Sequence, residues 1–263
     1  MTNNHLQAER NRAASRSWRI TAFACVLYAV VMMELIEAIR TRHAVRSYTG
    51  QPIEDNKIQD LNAVIERCNR EGDLRMRLVT NEPEAFGNFL LHYGMFKNVR
   101  NYIAIICDDS AGWEEHCGYY GAQVLLRATQ LVLDSCWVRL TFSKRKASTH
   151  AGVQGDEKLR FVITLGYGAR PGHPHRSKTY AQVASVNGNS DPEAAPAWFR
   201  NGIEAVLLAP TSINQQKFTF RLESDGRTIT ANAGNGPCSV TDLGIAKLHF
   251  EIGAGKDADF VWA

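Results

Sequence analysis

The stretch from Glu114 to Leu133 constrains the fold more than any other part of the chain. It keeps helical spacing throughout and is apolar nearly all round in its second half, G-A-Q-V-L-L-R-A-T-Q-L-V-L. A helix without a polar face has to be covered on every side, so it belongs at the centre of a domain with the other elements packed about it. Tyr102 to Cys107 (Y-I-A-I-I-C) and Phe161 to Leu165 have the length and β-branched content of buried strands, and Leu74 to Val79 alternates as a strand. Helices are predicted over Met33 to Arg42, Asn56 to Asn69 and Phe199 to Leu208, with a last strand over Phe218 to Leu222. Strands and helices intermix without regular β-α-β alternation, and no G-x-G-x-x-G follows a strand. The expected class is therefore α+β, a mixed or antiparallel sheet flanked by helices, and not a Rossmann fold.

The chain of 263 residues, 44% hydrophobic, is long enough to bury a sizeable core. Its net charge of +3 sits in one place: residues 1–32 carry Arg10, Arg12, Arg16 and Arg19 against Glu9, and subtracting these from 30 basic and 27 acidic residues leaves 26 of each. A neutral body lacks the broad positive field that nucleic-acid binding needs, so no nucleic-acid partner is expected. The six cysteines include no C-x-x-C pair and no zinc or disulfide spacing, and read as reduced thiols of a cytoplasmic protein. The basic opening is followed by an apolar run, Ile20 to Met33, shorter than a membrane span requires. The reading placed first is an upstream start codon with Met33 as the working start; the others are a membrane-surface helix and a signal segment, with no stable membrane insertion expected.

Ala184 to Pro196 (A-S-V-N-G-N-S-D-P-E-A-A-P) is the clearest linker, dividing residues 33–183 from 184–263 behind the extension at 1–32. A shift of 142 positions sets Leu61 on Ile203, Ala63 on Ala205, Val64 on Val206 and Met76 on Phe218, a weak internal echo.

Two separated segments carry the chemistry. Arg40 to Tyr48, R-T-R-H-A-V-R-S-Y, sets three arginines within seven residues, and Ala209 to Phe218, A-P-T-S-I-N-Q-Q-K-F, is a polar turn. Alone, the first reads as a solvated helix end and the second as a helix stop. Together with Gly121 to Val138, Phe161 to Gly168 (F-V-I-T-L-G-Y-G), His175 to Val183 (H-R-S-K-T-Y-A-Q-V) and the ending T-D-L-G-I-A-K-L-H-F-E-I-G-A-G-K, they occur in the order found in nitroreductase-type FMN-dependent oxidoreductases. From about Glu34 to Trp262 the chain resembles that family, and most of all those members in which one chain holds both halves of the usual dimer.

The resemblance implies a nitroreductase-like fold of two repeated halves, and an FMN site. In it Arg42, Arg176 and Lys178 hold the phosphate, His43 and Ala44 follow the cofactor, and Arg46 faces the ring near N1 and O2, where a cation stabilises the charge that hydride brings. Guanidinium forks suit phosphate through paired charge-assisted bonds. Pro210, Thr211, Ser212 and Asn214 are the expected contacts to the pyrimidine edge. Cys136 and Trp137, in D-S-C-W-V at the end of the central helix, are expected beside the ring, although Trp137 reads equally well as core. Ala44 stands where relatives commonly have serine, and Val132 and Arg139 where they often have glycine. His173 and His175 have alternate spacing but no carboxylate or thiol partner, so no metal is expected.

The activity implied is transfer of hydride from NADPH or NADH through FMN to a nitroaromatic, quinone or similar small-molecule acceptor, in a ping-pong cycle, by a monomeric pseudo-dimer or a homodimer. The alternatives are a flavin carrier or sensor without turnover, and same-fold enzymes of flavin fragmentation or reductive dehalogenation. No side chain is expected to act as acid or base.

Overall fold

The computed structural model describes residues 33–87 and 95–263, and the fold occupies Leu35–Ala263. The basic and apolar opening, residues 1–32, lies outside the described residues. Among those described, no helix is long and apolar enough to cross a membrane.

The chain runs through helices α1 (Leu35–Thr41) and α2 (Asp55–Gly72), strands β1 (Arg75–Val79) and β2 (Asn101–Cys107), helix α3 (Trp113–Gln130), strand β3 (Asp134–Val138), helix α4 (Lys144–Ala151) and strand β4 (Lys158–Gly166). After these come α5 (Tyr180–Val183), β5 (Ala184–Val186), α6 (Ala197–Val206), β6 (Phe218–Leu222), β7 (Thr228–Ala233), α7 (Ser239–Ala254) and β8 (Val261–Trp262). The first sheet has the order β1-β2-β4-β3, antiparallel throughout; the second has the order β5-β6-β7-β8, with β6 and β7 antiparallel and its outer pairs parallel. This is the α+β arrangement with helix-flanked sheets that the patterning predicts. Every residue of β2 is buried, as a run of N-Y-I-A-I-I-C with no polar alternation requires of a strand covered on both faces.

Among the described residues, short 3-10 turns aside, the order helix, strand, strand, helix, strand occurs twice, as α2-β1-β2-α3-β3 and as α6-β6-β7-α7-β8. At the middle, α3 and α7 cross at two glycines. A Cβ on Gly118 would lie 2.0 Å from the Thr241 carbonyl oxygen, and one on Gly244 would lie 2.1 Å from that of Glu115. Since 115 and 118 are spaced like 241 and 244, the contact is reciprocal, as at a two-fold interface. Around α7 the second sheet closes over aromatic rings, with Phe220 stacked on Phe250 at 5.7 Å and Trp262 against both.

Two expectations need correction. The central helix does not run on to Leu133, and D-S-C-W-V is not its end but strand β3, paired with β4. Val132 takes a left-handed φ of 59°, and Leu133 N–H returns to the Ala128 carbonyl at 2.9 Å, the closing turn that ends a helix and frees the chain to extend. Glycine fits that position without strain, whereas valine keeps its side chain 72% exposed there. Nor is Ala184 to Pro196 all linker: Ala184–Val186 forms strand β5 beside β6, with Ala184 opposite Phe220.

Candidate active site

The arginine segment is placed by backbone bonds to the first sheet. Arg42 N–H closes the last turn of α1 on the Ala38 carbonyl at 3.0 Å; the chain then extends, Ala44 bridges Ser135, and Val45 N–H donates to the Ser135 carbonyl at 3.0 Å. Tyr48 locks the far end, its buried hydroxyl 2.8 Å from the Val45 carbonyl and 2.7 Å from Thr164 Oγ1. The two arginines thereby reach different surroundings. Arg42 is 7% exposed, burial holds its guanidinium down at about 10, and its Nε has no hydrogen-bond partner. Arg46 is exposed. Cys136 is buried close to both: burial pushes its thiol up, and Arg46 and Arg42 oppose the rise.

The H-P-H-R-S-K segment meets the arginines through Gly172, where a Cβ would fall 2.5 Å from that of His43. Burial lowers the His43 imidazole first, and the nearby Arg42, His175 and His173 lower it further. Arg42 and His43 are therefore neighbours on this segment, with His173 and His175 close to His43. Lys178 is differently used: its ammonium donates to the Gln216 carbonyl at 2.6 Å. Arg176 is exposed, and its carbonyl accepts from Asn214 Nδ2 at 2.9 Å.

The 209–216 loop is tied at both ends. Gln216, 1% exposed, donates from its amide to the Leu207 carbonyl at 3.0 Å and accepts from Lys178 N–H at 2.7 Å. His175 Nε2 shares the same knot, 3.1 Å from the Leu207 carbonyl. At the other side Ser212 N–H donates to both carboxylate oxygens of Asp242 at 3.0 and 3.1 Å, and Gln215 Nε2 donates to Asp242 at 2.8 Å. Between these anchors Ile213, Asn214 and Gln216 hold left-handed φ values of 48°, 55° and 44°, strain that only an over-determined loop sustains.

A cavity of about 180 Å³ opens between this loop, β3 and the N-terminal end of α7. Of the expected residues, Arg46, Trp137, Pro210, Thr211 and Ser212 line it; Arg42, His43, Ala44, Cys136, Arg176, Lys178 and Asn214 lie outside the lining. Trp137 packs on Gly121 of α3, where a Cβ would be 2.5 Å from its ring, as its core reading has it, and also lines the cavity edge-on to Phe161. The remaining wall includes Arg139, Cys238, Thr241, Asp242 and Ile245. Arg139 Nη1 reaches Cys238 Sγ at 2.8 Å and its guanidinium lies over Phe161.

Asp242 and Gln216 are the loop anchors of the candidate site that sequence reasoning missed. An acid in the first turn of a helix is an ordinary helix-start signal, and nothing in T-D-L-G shows that its carboxylate holds a loop thirty residues away. Burial raises the Asp242 carboxyl to about 6 from its ordinary 3.8, against the bonds from Gln215 and Ser212 that favour the charged form. Between these two values the folded protein holds a proton that the unfolded chain has released. The stability contributed by the group is therefore fullest below pH 3.8 and is lost as pH rises through 6. Asp242→Asn cannot titrate, so the unfolding free energy of the parent relative to it is expected to fall by about 3 kcal/mol from pH 3.5 to 7. Parallel urea-unfolding curves across that range would place the carboxyl at its ordinary value.

A family model described as "Putative TM nitroreductase" matches residues 34–254. No curated protein matches the chain. Among solved structures, a "putative nitroreductase" from Thermotoga maritima superposes with a TM-score of 0.59 at 19% identity, covering 84% of this chain and 83% of that one, a likeness of fold. A "Putative NADH dehydrogenase/NAD(P)H nitroreductase" from Parabacteroides distasonis is 21% identical over 57% of this chain and 95% of its own, with a TM-score of 0.46. An "FMN-dependent Nitroreductase" from Clostridium difficile is 16% identical over 53% of this chain and 90% of its own, with a TM-score of 0.44.

Proposed function

The chain belongs to the nitroreductase-like family whose model spans residues 34–254, and from that premise we propose that this oxidoreductase binds FMN and passes hydride from NADPH or NADH to a nitroaromatic, quinone or similar electron-poor acceptor. The observation that carries the reading is Arg42: a guanidinium only 7% exposed whose Nε donor has no partner, next to His43. An unpaired buried donor is costly, and a phosphate oxygen is the partner that would satisfy both its charge and its hydrogen bond.

The cavity is smaller than the roughly 300–1,000 Å³ of a complete small-molecule pocket, which suits a division of labour. Arg42 and His43, with Arg176 and Lys178 of the neighbouring segment, would hold the phosphate, and the cavity would take the ring end. Bound FMN would supply the redox chemistry, accepting hydride and giving it to the acceptor. Arg46 would place a positive charge where negative charge accumulates. Backbone groups of Pro210 to Ser212 would bond the ring edge, Ser212 being held there by Asp242. Trp137, Phe161 and Ile245 would keep water from the reacting face, and the small cavity would make donor and acceptor occupy it in turn, a ping-pong order. The twice-repeated element order and the reciprocal glycine crossing support the reading of one chain as both halves of a dimer.

Purified protein should be incubated with FMN, desalted, and followed by visible absorbance during anaerobic addition of NADPH and then NADH. Retained flavin bands that bleach, and return on adding a nitroaromatic, are expected. Failure to retain FMN would overturn the site; retention without bleaching by either nicotinamide would leave a carrier or sensor.

A further inference from the structure

Away from the cavity, two thiols meet in the core. Cys107 is the last residue of β2 and Cys117 lies in the second turn of α3, and their sulfurs are 3.8 Å apart. Among the described residues no other pair of cysteines stands in sulfur contact. A disulfide needs about 2.05 Å, so the sulfurs have to close by less than about 2 Å, within reach of side-chain rotation and a small shift of the first turns of α3.

The two thiols are not equivalent. Cys107 is 5% exposed and opens on the exposed Asp108 and Asp109, while Cys117 is fully covered. The Arg160 guanidinium lies beside Cys107, held by the Asp108 carbonyl at 2.5 Å and the Asp109 carboxylate at 2.6 Å, and stacks on Trp113 at 4.0 Å. The hydrogen bond shared with Cys117 pulls the Cys107 thiol below its ordinary value against burial, which raises it, and Arg160 adds to the fall; the same bond, with burial, raises Cys117. This is the asymmetry of an attacking thiol and a resolving one.

We infer that Cys107 and Cys117 are an oxidative modification site, closing reversibly into an intramolecular disulfide when hydrogen peroxide reaches Cys107. In the first step the Cys107 thiolate attacks a peroxide oxygen, the O–O bond breaks, and hydroxide leaves to become water; sulfur is oxidised to the sulfenic acid. In the second, the Cys117 sulfur displaces the sulfenic oxygen as a second water, forming the S–S bond. Two thiols thus lose two electrons and two protons, and peroxide is reduced to two waters. The bond would fasten the start of α3 to the end of β2.

The test uses the full chain. Protein treated with peroxide and quenched with catalase is denatured, alkylated with iodoacetamide and digested with trypsin; Asn101 to Arg127 is a single peptide holding both cysteines and no internal lysine or arginine. The expected peptide is lighter by two hydrogens than the dithiol form, more than tenfold depleted in alkyl groups, and restored to two alkyl groups by dithiothreitol. In Cys117→Ser, Cys107 should instead go on to sulfinic acid that dithiothreitol does not reverse, and in Cys107→Ser, Cys117 should stay alkylatable. A parent peptide that keeps both alkyl groups at a peroxide dose that oxidises the half-buried Cys238, or that carries sulfinic acid at Cys107 beside an alkylated Cys117, would overturn the inference.

Discussion

Gly118→Ala is expected to lower the unfolding free energy by about 3 kcal/mol or more, the upper end of overpacking costs. Helix propensity alone predicts the opposite sign, because alanine is favoured over glycine in a helix interior by about 1 kcal/mol. The packing term wins because the added methyl would sit 2.0 Å from the Thr241 carbonyl, an atom of a helix backbone that cannot rotate away. Gly244→Ala faces the Glu115 carbonyl in the same way and should cost a similar amount. The double variant should cost less than the sum, since parting α3 from α7 once relieves both clashes. Gly155→Ala is the control: it has open space but a φ of +53°, so it should lose only about 1 kcal/mol from backbone strain. Urea midpoints measure all four. A neutral or stabilising result at Gly118 would mean that the two helices separate at little cost, and with that the reciprocal crossing would lose its role as the centre of the fold.

Arg42→Met is expected to move cofactor affinity and stability in opposite directions. Loss of charge-assisted bonds to a phosphate should cost about 3 kcal/mol, or on the order of 100-fold in the Kd for FMN. The FMN-free protein should hold its stability or gain about 1–2 kcal/mol, because replacing a buried, incompletely bonded charge by an apolar side chain of similar length removes a desolvation cost. Titration of FMN fluorescence gives the first quantity and thermal unfolding without FMN gives the second. An unchanged Kd would move the phosphate away from Arg42, and a large fall in apo stability would make the guanidinium a structural group.

Asp134 to Val138 shows where local patterning misleads. Next to a long apolar helix, S-C-W-V continues the apolar character, and helical periodicity has no stop signal there because the residue that turns the chain is a valine. The left-handed φ at Val132 is imposed by the pairing of β3 with β4 and by the closing bond to Ala128. Ala184 to Val186 was equally unreadable: three small or short residues form a strand only because the edge of β6 offers free backbone partners.

From the sequence by itself follow the class of the fold, the central helix, the buried strands and, through five motifs in order, the basic and loop segments of the proposed site. These depend on periodicity and residue chemistry, which are local. Only the tertiary structure decided that Arg42 is buried with an unsatisfied donor while Arg46, four residues on, faces the cavity. It also decided that Gly172 brings the H-P-H-R-S-K segment against His43, that Lys178 serves Gln216, and that Asp242 and Gln216 hold the 209–216 loop. Each of these is a contact between segments far apart in the chain, set by which backbones approach closely enough to bond and by what burial does to a charge once they have.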